Sequence, residues 1–322
     1  MFAHSLPDII PGVFTWSVIT LMLSGCLAFL YPLLRRLMLA YPAPFRTTLI
    51  VLIAAAPSLI ASIVLVLYAS PELSHLFIHE HCHGNVCGAH SLHMPISTQT
   101  SAGLVILSVL ALLLMGYLAL RQLSKGKRYS TTLAMLSEAR PNQDFRLIQT
   151  EQPAAWCVGL LKPQIYLSQG LLDQVSKRQL QTMLAHEHVH VSRRDNLRKF
   201  LVHWFTFPWP RAKAQQIRQD LLQDTENTCD LMAVEFTQTS TDELGELLNT
   251  VEQYCAEHGK QHQVTSEQRL SAFKHEMRLY QEFDKAHWRR LLLALSGSFL
   301  MGAVLFIAAA FVSHPVLEWL SR

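Results

Sequence analysis

Uninterrupted apolar runs alternate with short polar connections in the first part of the chain. A long polar region then precedes one more run near the C-terminus. The runs fall roughly at 11–34, 47–69, 101–120 and 291–312. Each can cross about 30 Å of hydrocarbon as a helix, so the pattern predicts four spans. Between the third and fourth runs the periodicity shortens. Phe145-Arg-Leu-Ile-Gln-Thr150 alternates apolar and polar residues. Ala155-Trp-Cys-Val158 and Gln164-Ile-Tyr-Leu167 are further strand candidates, joined through Gly159 and a turn at Lys162-Pro163. Leu180, Met183 and Leu184 then form a helical stripe. A second helix reads over 215–236, with Ile217, Leu221, Leu222, Leu231 and Val234 as packing positions. The expected fold is a multi-pass α-helical membrane protein carrying an α+β domain. Its parts are three spans in 1–121, the domain in 122–290, and the fourth span with a short tail in 291–322.

Composition agrees with a membrane chain. Half of the 322 residues are hydrophobic (50%), and only 16% are charged, against about 25% in soluble proteins. The net charge of +3 implies no nucleic-acid partner, because the basic residues stand beside apolar runs. Their placement orients the chain instead. Arg35, Arg36 and Arg46 occupy the first connection, and none occurs in 1–10 or 70–100. Arg121, Lys125, Lys127 and Arg128 follow the third run, and Arg289 and Arg290 precede the fourth. The positive-inside pattern predicts a plasma-membrane (bacterial inner-membrane) protein with a cytoplasmic 122–290 domain. Both termini and the 70–100 loop would lie outside. A cleaved signal peptide is not expected, since no basic region precedes the first run.

The polar region contains His186-Glu187-His188-Val189-His190. On a helix, His186 and His190 share one face and can direct nitrogens at one zinc ion. Glu187 beside them can act as general base toward a water molecule. His188 turns away from the pair. A catalytic zinc needs a third protein ligand. Glu226 is the first candidate, ahead of Cys229 and Asp230 in the same segment. Asp230, one turn beyond Glu226, could accept the outer N–H of a liganding histidine.

These motifs resemble the M56 membrane zinc metallopeptidases, the family of the antibiotic-signalling sensor peptidases. They are more distantly similar to the M48 membrane zinc endopeptidases. The resemblance rests on Gly159-Leu-Leu-Lys-Pro-Gln-Ile-Tyr-Leu167, Gly170-Leu171, His186 through Asp195, and Glu226 with Cys229-Asp230. It implies a gluzincin-like metallopeptidase with His186, His190 and Glu226 as zinc ligands, Glu187 as base and Asp230 behind a ligand. It also implies regulated cleavage of a cytosolic or membrane-proximal protein in signal transduction, with a transcriptional repressor as the substrate class. Alternatives are an inactive membrane sensor or scaffold, and a peptidase maintaining membrane proteins as the M48 group does. The sensor peptidases carry an external penicillin-binding domain after their last span. Here only 314–322 follow, so acylation by a beta-lactam is not expected.

The remaining features suggest partners. An exposed strand edge beside the metal could bind an extended peptide. The basic pair Arg193-Arg194, before Asp195, fits lipid phosphate or a solvated helix end. Trp204-Phe-Thr-Phe-Pro-Trp209, after His203, reads as a membrane-facing or interfacial hairpin or as an ordinary buried turn, and Pro208 and Pro210 interrupt any helix there. The 70–100 loop holds His75, His79, His81, His83, His90 and His93 with Cys82 and Cys87. It could take external Zn, Cu or Ni, or close a Cys82–Cys87 disulfide, and so serve a regulatory input.

Overall fold

The computed structural model describes residues 6–68, 81–83, 86–88, 99–139, 143–257 and 265–285, together with 297, 302–309 and 311–312. Three helices among them are long and apolar enough to cross a membrane: Gly12–Met38, Ala43–Leu67 and Ala102–Leu136. They belong to α1 (Leu6–Met38), α2 (Ala43–Tyr68) and α3 (Gln99–Leu136). The predicted count of four is thus corrected to three for the described residues. The run at 291–312 lies largely outside them.

Helices α1 and α2 pack along each other, joined by the short connection 39–42. Leu27, Tyr31, Ile50, Ala54, Ala61 and Val64 have no exposed surface. The two alanines permit close approach, the usual basis of helix association in lipid. This core continues out of the spans through Val202, Trp209, Ala214, Ile217 and Leu221. The first two spans and the polar domain are therefore packed as one body. By contrast, Leu107, Leu110, Leu113 and Leu114 of α3 are exposed, as suits a lipid-facing surface.

Between α2 and α3, β1 (His81–His83) pairs antiparallel with β2 (Val86–Gly88), setting Cys82 opposite Cys87 along the backbone. The side chains of this loop, including His75, His79, His90 and His93, lie outside the described residues. No external metal group is found among the described ones.

At about 1.5 Å per residue, the 38 residues of α3 far exceed the hydrocarbon thickness. The helix leads directly into β3 (Ser137–Ala139), followed by β4 (Phe145–Ile148), β5 (Ala155–Val158) and β6 (Gln164–Ser168). The sheet order is β3-β4-β6-β5, with β4 and β6 parallel and the other pairs antiparallel. Strand β3 has no apolar alternation to betray it. Arg146 of β4 holds it, donating from Nε to Ser137 Oγ at 2.7 Å and from Nη2 to the Ser137 carbonyl at 2.8 Å.

Phe145, Ile165, Leu167 and Leu171 pack together under Leu180, Met183 and Leu184 of α5 (Lys177–Arg193), with the one-turn α4 (Gln169–Leu172) between. Four helices complete the domain: α6 (Asp195–Phe205), α7 (Arg211–Thr237), α8 (Thr241–Glu257) and α9 (Ser266–Lys285). Of the two readings of the aromatic segment, the turn is the one found: it is the end of α6 and a partly buried turn into α7. Trp209 is buried in the shared core and Phe207 is exposed. Trp204 Nε1 donates to Gln122 Oε1 of α3 at 3.0 Å.

Candidate metal centre

Helix α5 begins at a capping box. Ser176 Oγ accepts from the Gln179 backbone N–H, and Gln179 Oε1 accepts from that of Ser176. It ends at Arg194, a non-glycine residue in the left-handed region (φ 52°, ψ 47°). That conformation normally costs about 1 kcal/mol or more. It reverses the chain within one residue, so that α6 starts at Asp195 with its carboxylate turned back toward α5. Asp195 is 1% exposed, and its Oδ2 lies 2.9 Å from His190 Nδ1.

The other histidine has a matching partner. His186 Nδ1 lies 2.9 Å from Asp230 Oδ1, on α7. With both Nδ1 atoms engaged, the Nε2 atoms of the two rings face one carboxylate. Glu226 Oε2 is 3.5 Å from His186 Nε2, and Glu226 Oε1 is 3.7 Å from His190 Nε2. Tetrahedral ligands about 2.0–2.1 Å from one zinc ion stand about 3.3 Å apart. Each Nε2 thus approaches a different oxygen of the Glu226 carboxylate at a separation slightly longer than that spacing.

A second donor set overlaps it. His186, His190 and buried Cys229 bring one ligand atom each within 4.8 Å of one another, a group able to chelate a single metal ion. Cys229 Sγ approaches His190 at Nδ1, 3.3 Å away, the same nitrogen that meets Asp195.

The electrostatics follow from burial and pairing. Burial opposes a proton on His186, but hydrogen bonds and charge from Asp230 and Glu226 outweigh it and raise its pKa to about 10 in the metal-free protein. Burial also opposes ionisation of Glu226, yet the histidines and Lys199 bring it down to about 2. Asp230 is held below the ordinary carboxylate range, burial being overcome by Arg269 and His186. Arg269, on α9, donates to both Asp230 oxygens at 2.7 Å. Glu187, buried and flanked by the histidines, is raised by desolvation. The Cys229 thiol is pushed up by burial and by Asp195.

A cavity of about 370 Å³ adjoins the group, with His186, Glu187 and Glu226 in its wall. Its apolar lining comes from Leu171, Val175 and Met183 on one side and Leu244, Leu248 and Val251 of α8 on the other. Pro153, Ala154 and Ala155, leading into β5, also border it. Strand β5 ends the sheet, and Asn196 fixes its far end by donating to the carbonyls of Cys157 (3.0 Å) and Gly159 (3.2 Å). Gly159 has φ 120°, and a Cβ there would meet the Lys162 carbonyl oxygen at 2.7 Å. Glycine is required at this turn.

The structure thus brings together His186, Glu187, His190, Glu226 and Asp230, and leaves His188 exposed on the opposite side of α5. Asp195 was read as part of a helix end and is instead buried against His190. Its signals in the sequence are its position immediately after the histidine helix and its place at the end of the His186–Asp195 segment. Asn196 and Arg269 gave none, since their partners are fixed by tertiary packing. Arg193 meets protein here, donating to Thr47 Oγ1 at 2.6 Å.

The sequence profile of peptidase family M48 matches residues 122–319, more than half of the chain. No match was found among curated proteins or among solved structures. The M56 resemblance is overturned by this match, which carries no signal specific to the sensor peptidases. Shared features, a paired-histidine helix followed by Glu226 and Asp230, do not separate the two families. The match and the chelating cluster identify a metal-dependent peptidase domain on a multi-span membrane protein. This chain belongs to peptidase family M48.

Proposed function

We propose that the protein is a zinc-dependent membrane endopeptidase that cleaves an extended, membrane-proximal polypeptide on the cytoplasmic side. The observation that carries this reading is the approach of both His Nε2 atoms to the Glu226 carboxylate, with each Nδ1 anchored on a separate aspartate. His186, His190 and Glu226 are the ligands in this reading. Cys229 is the weaker third ligand. Its thiol is held protonated by burial, and it meets His190 at the nitrogen occupied by Asp195. Zinc bound there supplies Lewis acidity toward the scissile carbonyl and acidifies a water molecule.

Glu187 takes a proton from the attacking water as oxygen adds to the carbonyl carbon. It then delivers that proton to the amide nitrogen as the C–N bond breaks. Desolvation favours this role by making its carboxylate more basic. A substrate strand laid along β5 would pair through its backbone. It would also present a side chain to the apolar cavity beside Ala155, which favours Leu, Met or Phe next to the scissile bond. Asp230 and Asp195 keep Nε2 of each histidine free by accepting from Nδ1.

The cytoplasmic placement rests on the basic residues flanking the spans. Packing of the α1–α2 connection against the domain supports it, because Arg35 and Arg46 belong to the domain's side of the membrane. The signalling role and repressor substrate implied by the M56 resemblance lose that support and form no part of this reading. Comparing peptide cleavage by wild type and Glu187→Gln tests the reading. Equal cleavage would remove Glu187 from the mechanism.

A further inference from the structure

The first turns of α2 pack against α6 and α7, the helices that carry Asp195 and Glu226. Arg46 is buried, at 2% exposed. It donates from Nε and Nη2 to Asp224 Oδ1, at 3.0 and 2.7 Å, and pairs with Glu276 through Nη2. Asp224 precedes Glu226 by two residues on α7. Glu276 stands two turns beyond Arg269 on α9, and it also accepts from the Ala43 backbone N–H at 3.0 Å. Arg46 therefore clamps the two helices that supply Glu226, Asp230 and the arginine holding Asp230.

The neighbouring residue reaches the other histidine's support. Thr47 has no exposed surface. It donates its hydroxyl hydrogen to the Pro44 carbonyl, which leaves oxygen lone pairs for Arg193 Nη2 at 2.6 Å. The guanidinium of Arg193 lies beside Asp195, with Nε 3.6 Å from Oδ1. Of two consecutive residues at the entrance to a membrane span, Arg46 thus fastens the helices bearing Asp230 and Arg269, and Thr47 holds the arginine beside Asp195.

We infer that Arg46 and Thr47 are positioning residues through which the α1–α2 membrane hairpin sets the geometry of the metal centre. The inference rests on the metal assignment proposed above. It extends that assignment, because the spans then determine how tightly the domain holds its ion. Any movement of α2 relative to the domain is felt by the supports of His186 and His190 together.

The test uses the full chain in detergent and reads zinc affinity by chelator competition, metal-free melting temperature, and kcat and KM on a cleavable peptide at saturating zinc. Thr47→Val preserves shape but removes the acceptor for Arg193. It should weaken zinc binding about 10-fold, within the range typical of groups that support metal ligands, with KM and the metal-free melting temperature unchanged. Thr47→Ser should restore affinity. Arg46→Lys, which keeps one charge but cannot span both carboxylates, should weaken it further.

Tyr31→Phe is the control. It removes a hydrogen bond to Asp220, which meets the clamp only through Arg35, whose Nε lies 3.6 Å away and which keeps both its bonds to Asp224, so its zinc affinity should stay at the wild-type value. Unchanged affinity in Thr47→Val and Arg46→Lys overturns the inference. So does a loss matched by Tyr31→Phe or accounted for by a lower melting temperature. A wild-type chain that binds no zinc instead overturns the metallopeptidase reading itself.

Discussion

Asp195 Oδ2 lies 2.9 Å from His190 Nδ1 across the chain reversal at Arg194. The contact joins the end of one helix to the start of the next. A backbone conformation thereby becomes part of the metal centre. Asp195→Ala removes the acceptor and frees the imidazole to rotate or change tautomer. Zinc affinity should fall about 10- to 100-fold, measured by chelator competition. An unchanged affinity would show that His190 is oriented by packing alone.

Arg194→Val tests the reversal itself. A β-branched residue resists the left-handed region, whereas glycine accepts it. The valine variant should lose about 1–2 kcal/mol of stability and part of its zinc affinity, since Asp195 can no longer approach His190 freely. Arg194→Gly should keep both. Thermal unfolding with parallel zinc titration checks the pair.

Zinc binding should weaken as pH falls. Asp230 and Glu226 raise the His186 pKa to about 10 in the metal-free protein. Below that pH the ring holds an extra proton, which zinc must displace to reach Nε2. Apparent affinity should then drop about tenfold per unit between pH 8 and 6, one proton being released per ion. A pH-independent affinity over this interval contradicts the proton competition.

The apolar cavity should set preference beside the scissile bond. Val251→Phe fills part of the volume lined by Leu171, Met183 and Leu248. Peptides with Leu or Phe at that position should lose about 10-fold in kcat/KM relative to Ala, comparable to one or two methylenes of misfit. A profile unchanged across a peptide series would place the substrate side chain elsewhere.

Cys157 provides a separate probe. Burial, with Glu187 and Asp195 nearby, pushes its thiol up to about 12. At pH 8 only about one part in ten thousand is thiolate. Iodoacetamide should label it slowly in the folded protein and quickly after denaturation. Rapid native labelling would contradict the raised pKa.

Periodicity was a good guide wherever a residue's role depends on its own element. The i, i+4 spacing put His186 and His190 on one face. Alternation marked β4, short apolar runs joined through Gly159 and the Lys162-Pro163 turn marked β5 and β6, and uninterrupted apolar length marked the three described spans. What the sequence hid were partners brought from other elements. Ser137-Glu-Ala139 lacks an alternation, because β3 is held by Arg146 rather than by an apolar face. Arg269 sits in an ordinary amphipathic helix, and only tertiary packing sets it against Asp230. Arg46 read as one more topological charge, whereas its burial between Asp224 and Glu276 is set by two distant helices. The family resemblance erred for a related reason: residues that bind a metal are shared by families whose remaining architecture differs.

The central claim is that Glu187 moves the proton in a reaction at a His186/His190/Glu226 zinc centre. The most direct measurement is peptide cleavage by purified wild type and Glu187→Gln, compared at equal measured zinc content. The account predicts that the variant keeps its zinc while cleavage falls by about 100-fold or more, the usual contribution of a positioned general base. Cleavage at the wild-type rate and the same bonds by the zinc-loaded variant would contradict it.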